Sequence, residues 1–134
     1  MTHHTTLDVK TTAREILTDI THDIEEAIRN SPVKEGHVVL FVPHTTAAIT
    51  LNENTDPDVA SDIIDALKKT WPENAGYRHA EGNSDAHIKA SLIGNSEQLI
   101  IRDGRLVLGT WQGVYFCEFD GPRKRKLHMA IVGS

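Results

Sequence analysis

The chain has 134 residues, with 39% hydrophobic and 25% charged, one domain's worth of a globular protein able to bury a core without disulfide or structural metal. No apolar run approaches the roughly 20 residues of a membrane span, and Met1-Thr2-His3-His4-Thr5-Thr6 lacks the basic and apolar regions of a secretory leader. A cytoplasmic protein with no membrane partner is expected, with its single cysteine, Cys117, unable to form an internal disulfide. The net charge of −5 divides unevenly: the residues from Arg102 onward carry +3 and those before it −8. An acidic chain lacks the broad basic face of a nucleic-acid coat, but a local anion site near the C-terminus stays open.

No repeat or low-complexity linker divides residues 1–134, so one domain is expected. Two β-favouring segments, around Leu7 to Thr12 and Glu15 to Ile20, precede a helix opened by Thr21. Asp23, Glu25 and Glu26 in its first turns suit the helix dipole, and Ile24, Ala27 and Ile28 form its apolar stripe. Ser31-Pro32 ends it. The run from His37 to Val42 predicts a strand buried on both faces, stopped by Pro43, and Thr46 to Leu51 predicts the next. Asp56-Pro57 is a cap followed by proline at the first helical position. It opens a helix in which Val59, Ile63, Ala66, Leu67 and Trp71 recur at helical spacing before Pro72.

After a polar loop from Glu73 to Gly82, Asn83 or Ser84 caps a short helix carrying Ala86, Ile88, Ala90, Leu92 and Ile93 and closed by Gly94. The rest reads as β. Gln98 to Arg102 and Arg105 to Gly109 flank Asp103-Gly104, a strong hairpin signal because both turn positions must accept positive φ. Val114 to Asp120 and Lys126 to Val132 predict a second hairpin around Gly121-Pro122-Arg123. A mixed first half and a four-strand meander at the end indicate α+β, a single domain with a largely antiparallel sheet.

Five clusters suggest chemistry. His44 ends a buried strand and is followed by Thr45 and Thr46, which reads either as a cleft residue or as a hydrogen-bonded turn. Asn52-Glu53-Asn54 ends the next strand, as a polar site or as an Asx turn into the helix. Tyr77-Arg78-His79 and His87 have no local ligand spacing. With His44 they make three imidazoles, a known catalytic zinc set, beside which Glu53 supplies a carboxylate to take a proton from bound water. Trp111 and Gln112 lie between Gly109 and Gly113, a plane and an amide suited to a flat heterocycle or a tryptophan closing the core. The run from Glu118 to Arg125 crosses a proline-stiffened turn carrying Asp120, Arg123 and Lys124, as solvated charge or as an anion site in which Arg123 offers a planar fork.

With these clusters assembled, the chain resembles the YjbQ-like family of secondary thiamine-phosphate synthase enzymes. The resemblance is carried, in order along nearly the whole chain, by His44-Thr45-Thr46-Ala47-Ala48, Asn52-Glu53-Asn54, Asp56-Pro57-Asp58, Tyr77 and His79, Ala86-His87, Leu108-Gly109-Thr110-Trp111-Gln112 and Asp120-Gly121-Pro122-Arg123. It implies an α/β sandwich assembling as a homotrimer and a transferase that joins a pyrimidinylmethyl diphosphate to a thiazole phosphate. Glu53, His44 and Arg123 are then the expected catalytic residues, with Trp111, Gln112, Asp120, Lys124 and Asn52 on the substrate. His44, His79 and His87 are expected to converge on a divalent ion, zinc-like at the imidazoles or magnesium with the diphosphate. Because imidazoles suit diphosphate-bound magnesium poorly, two rivals stand beside the synthase. They are a metal-dependent hydrolase of a small phosphorylated or cyclic compound, and a trimeric small-molecule binding protein without turnover.

Overall fold

The computed structural model describes residues 1–134 as eight strands and three helices: β1 (Thr2–Lys10), β2 (Ile16–Asp19), α1 (Thr21–Arg29), β3 (Gly36–Phe41), β4 (Ala47–Glu53), α2 (Pro57–Thr70), α3 (Ser84–Ile93), β5 (Ser96–Arg102), β6 (Arg105–Leu106), β7 (Gln112–Glu118) and β8 (Lys124–Gly133). The strands form two antiparallel sheets, one ordered β1-β8-β3-β5-β6 and the other β2-β7-β4. The α+β class and antiparallel pairing agree with the sequence expectation.

The C-terminal meander does not form. β5 and β6 make the expected hairpin, with Asp103 at φ 53° and Gly104 at φ 73°. β7 and β8 do not pair with each other. β7 joins the small sheet between β2 and β4, while β8 crosses to the large sheet between β1 and β3. The segment around Gly121-Pro122-Arg123 is therefore a passage between layers. Long-range partners decide this: β8 matches β1 over nine residue pairs, from Thr2 with Val132 to Lys10 with Lys124.

The main core fills the space between the sheets. Val38 and Leu40 of β3, Leu127, Met129 and Ile131 of β8 and Ile101 of β5 meet Val114 and Phe116 of β7 and Ile49 of β4, with Ile24 and Ile28 of α1 packed in. A second core lies on the far side of the small sheet. There Ala48, Tyr115, Cys117 and Phe119 meet Ile64 of α2 and Ala86 and Ala90 of α3. The small sheet is thus covered on both faces, which is why β7 is continuously buried from Gly113 to Glu118.

The large sheet is covered on one face only. Val39, Phe41 and Ile100 are 36%, 42% and 55% exposed, so β3 alternates in burial and is not buried on both faces as its apolar run suggests. In α2 the most buried position is Ile64, with Ala60, Ile63 and Leu67 beside it, and Ala66 faces solvent. The cap holds: Asp56 accepts the backbone N–H of Asp58 at 2.9 Å.

α3 is fixed by charge as much as by apolar contact. Asp85 and Lys89 are fully buried, and the Lys89 ammonium lies 2.7 Å from Asp85 and 2.5 Å from Glu15. Arg14 closes the cluster with two nitrogens on Asp85, at 3.1 and 3.2 Å. A buried charge of either sign is costly unless paired and hydrogen-bonded, and this quartet pairs all four.

Candidate functional site

The β4–β7 ladder gives the candidate residues their positions, because it separates them into two groups at its ends. Ala47 pairs with Glu118 at one end and Glu53 with Gln112 at the other. Six residue steps of extended chain put these ends about 20 Å apart.

The first end holds a buried polar knot. Glu118, fully buried, accepts from Thr11 Oγ1 at 2.7 Å, from Arg125 Nε at 2.8 Å, from Arg125 Nη2, and from the Asp120 N–H at 3.0 Å. Arg125 Nη2 also donates to Thr46 Oγ1 at 2.8 Å. Burial alone pushes the Glu118 carboxyl up, but these donors outweigh it and hold it below the usual carboxylate range. His44 and Arg125 line the same surface cleft. His44 Nε2 accepts the backbone N–H of Lys126 at 2.9 Å, which places its proton on Nδ1. Burial and the Arg125 charge both lower its pKa and favour that neutral ring.

The turn leading into β8 belongs to this end. Arg123 donates from Nε to the Asp120 carbonyl at 2.7 Å and from Nη2 to the Asp120 carboxylate at 2.9 Å. Asn83, at the start of α3, donates to that carboxylate at 2.9 Å. Burial pushes Asp120 up, whereas Asn83 and Arg123 together bring it below the ordinary range. Asn83 therefore spends its amide on Asp120 and makes no side-chain cap for α3. Its carbonyl oxygen is buried without a partner.

His87 follows on the first turns of α3 and meets His79 edge to face, with ring centroids 5.5 Å apart. These two imidazoles share a pocket with Tyr77 and Ile88, while His44 lies in a different one with Phe41 and Asn95. No group of three or more His, Cys, Asp or Glu side chains in the chain is placed to hold a metal ion. One chain thus brings together two of the three expected ligands. The strand end carrying His44 and the loop and helix start carrying His79 and His87 belong to different layers, so the three-histidine set does not fit within a single chain.

The second end carries Asn52, Glu53, Trp111 and Gln112. Glu53 accepts the Asp56 N–H at 3.2 Å and Asn52 accepts the Glu53 N–H at 2.7 Å, the turn arrangement leading into α2. Gln112 accepts from the Gly109 N–H at 2.8 Å. Trp111 does not close the core: it is 60% exposed. Gly113, opposite Asn52, is required here, since a Cβ would lie 2.3 Å from the Asn54 amide nitrogen. That amide donates to Asp19 at 3.0 Å. With Glu53 at this end and His44 at the other, Glu53 is not placed in its own chain to take a proton from water beside His44.

The sequence and the fold recur in known proteins. The family model for UPF0047 proteins, YjbQ-like, matches residues 5–134. The chain belongs to this family. It is 56% identical over 126 residues to the UPF0047 protein MJ1081 of Methanocaldococcus jannaschii, covering 94% of this chain and 91% of that protein. To the UPF0047 protein YugU of Bacillus subtilis it is 46% identical over 129 residues, covering 96% and 98%. A crystal structure of a YjbQ/UPF0047 protein from Clostridium acetobutylicum superposes with a TM-score of 0.93 at 52% identity, covering 96% of this chain and 99% of that one. A YbjQ-like protein of unknown function from Sulfolobus solfataricus gives 0.95 at 32% identity, covering 100% and 99%.

The two-sheet architecture is therefore that of YjbQ-like proteins. No helix of the chain is long and apolar enough to cross a membrane. The sequence reading of this YjbQ-like chain marked Thr46 beside His44 and the run from Glu118 to Arg125, but it missed Thr11 and the knot in which Thr11, Thr46, Glu118 and Arg125 join to brace the His44 end. Their partners lie 7 to 107 positions apart, and no local pattern announces them.

Proposed function

We propose that the protein is a transferase of thiamine-phosphate synthase type, working as a homotrimer on small phosphorylated substrates. The thiazole nitrogen attacks the pyrimidinylmethyl carbon and forms the C–N bond. The C–O bond to diphosphate breaks, and diphosphate leaves with the electron pair. Such a reaction needs a plane for the pyrimidine, cations for the departing diphosphate, and alignment of the two substrates.

The observation that carries the reading is Trp111, a large indole left 60% exposed at the rim of a fully paired ladder, with Gln112 next to it. An aromatic face with no intramolecular cover suits a flat heterocycle. Lys124 supplies positive charge at the opposite end, whereas Arg123 beside it has its Nε and Nη2 engaged by Asp120. The separation of about 20 Å within one chain is why the proposal includes the trimer, in which one copy's indole approaches another's cations. The uncovered face of the large sheet, with Val39, Phe41 and Ile100, supports association of copies. The hydrolase reading needs Glu53 beside His44; the two lie at opposite ends of the ladder and so would likewise have to come from two copies.

The test is direct. Purified protein, free of contaminating synthase, is given magnesium and the two precursors. Slow formation of thiamine phosphate is expected, with light scattering reporting a trimer. No product refutes the synthase, and a monomer at micromolar concentration removes the composite site. If His44→Ala abolishes a separate metal-dependent hydrolysis and leaves thiamine phosphate formation intact, the hydrolase replaces it.

A further inference from the structure

Lys10 and Lys124 stand directly opposite each other where β1 and β8 meet the passage between the sheets. Both side chains are exposed and project from the same face of the ladder, because directly paired residues share a face. Like charges at such a pair oppose strand pairing. The chain has 19 carboxylates against 14 basic side chains, yet neither lysine takes part in an ion pair. The next pair on that face is Asp8 with Lys126, joined at 2.7 Å.

Lysines do blunt the edges of sheets, and β1 is an edge strand. That accounts for Lys10 but not for a like charge placed directly opposite it. Lys124 and Lys126 lie at the start of β8, which is paired there with β1 and joined by β3 only from His128 onward, and the Lys126 N–H is already taken by His44 Nε2. Between these side chains runs a cleft of about 530 Å³, lined by Asp8, Val9, Lys10, Lys124, Arg125 and Lys126. Glu118 neutralises Arg125 and Asp8 offsets one lysine, which leaves two positive charges facing the cleft.

We propose that the Lys10–Lys124 pair, with Lys126 beside it, is an anion seat for a diphosphate or phosphate-ester group. Cross-strand partners have Cβ atoms about 5 Å apart. Two flexible ammonium groups on that base converge on neighbouring phosphate oxygens, and the bound anion removes the repulsion that the pair otherwise carries. Arg123 is not part of the seat, since its Nε and Nη2 are committed to Asp120. The inference rests on the synthase reading only in taking the ligand to be the diphosphate of a substrate. The seat itself is argued from charge and register.

The experiment is calorimetric titration of the full-length protein with sodium diphosphate and with sodium phosphate, at fixed ionic strength and without metal. Wild type is expected to bind diphosphate more tightly than phosphate. Lys10→Ala and Lys124→Ala should each weaken diphosphate about tenfold, the usual scale for one charge-assisted contact. Lys68→Ala/Lys69→Ala, on the exposed end of α2, should leave it unchanged. The seat is overturned if wild type binds no diphosphate, if Lys10→Ala/Lys124→Ala binds like wild type, or if the α2 variant loses as much. Binding that depends on Lys10 and Lys124, in a protein that forms no thiamine phosphate, upholds the seat and refutes the synthase. Product formation with an unchanged KM for the diphosphate substrate in Lys10→Ala/Lys124→Ala does the reverse.

Discussion

Lys89→Met tests whether charge holds α3 in place. Methionine keeps most of the lysine stem's volume and removes the ammonium, so the packing change is small and the electrostatic change is not. Glu15 and Asp85 are then left with Arg14 alone, through contacts of 3.3 Å to Glu15 and 3.1 Å to Asp85. Two carboxylates facing one guanidinium leave an uncompensated negative charge where Asp85 is fully buried. Breaking a buried pair on one side costs about 3–5 kcal/mol. An unfolding entropy of about 2 cal/mol/K per residue converts this to a fall of roughly 10–18 °C in Tm for a chain of this length.

Differential scanning calorimetry at matched protein concentration measures it, because any assembly makes Tm concentration-dependent. The loss should also depend on pH. Removing Lys89 raises the pKa of the stranded carboxylate above its wild-type value, so the deficit is largest at neutral pH and narrows as acid protonates that group. A fall of less than about 3 °C, roughly 1 kcal/mol, would refute the argument. So would a deficit that stays constant down through the acid range in which Asp85, depressed in the wild type, takes up its proton.

Two further outcomes follow from the same geometry. Glu118, Asp85 and Asp120 all have depressed pKa values, since their hydrogen-bond donors outweigh the burial that pushes them up. Their contribution is therefore complete above the unfolded carboxylate values near 4 and is lost as pH falls through the lower folded values. Urea midpoints should drop steeply below about pH 4, and Glu118→Gln should make that drop shallower; an unchanged slope would remove Glu118 from the account. Trp111→Ala should change stability by no more than about 0.5 kcal/mol, as for a surface residue, while raising KM for the pyrimidine substrate. A large loss of Tm would instead make the indole a packing element.

Local rules act over a few residues, and where they sufficed the sequence was legible. Asp56-Pro57 opens α2 as a cap must, and Asp103-Gly104 turns the chain with two positive φ angles, because both depend only on adjacent backbone and side-chain chemistry. The family motifs likewise marked a YjbQ-like chain before any strand was paired. Tertiary structure alone decided which apolar run is covered on both faces. The runs of β3 and β7 look alike in sequence, yet only β7 lies between two cores. It also decided that β7 and β8 part company, since β8 finds its register on β1 more than a hundred residues away. The distribution of the site has the same origin. His44 and Glu53 are nine positions apart in sequence, but a strand that stays extended carries them to opposite ends of a sheet, while Lys10 and Lys124 are brought side by side by pairing that no local pattern encodes.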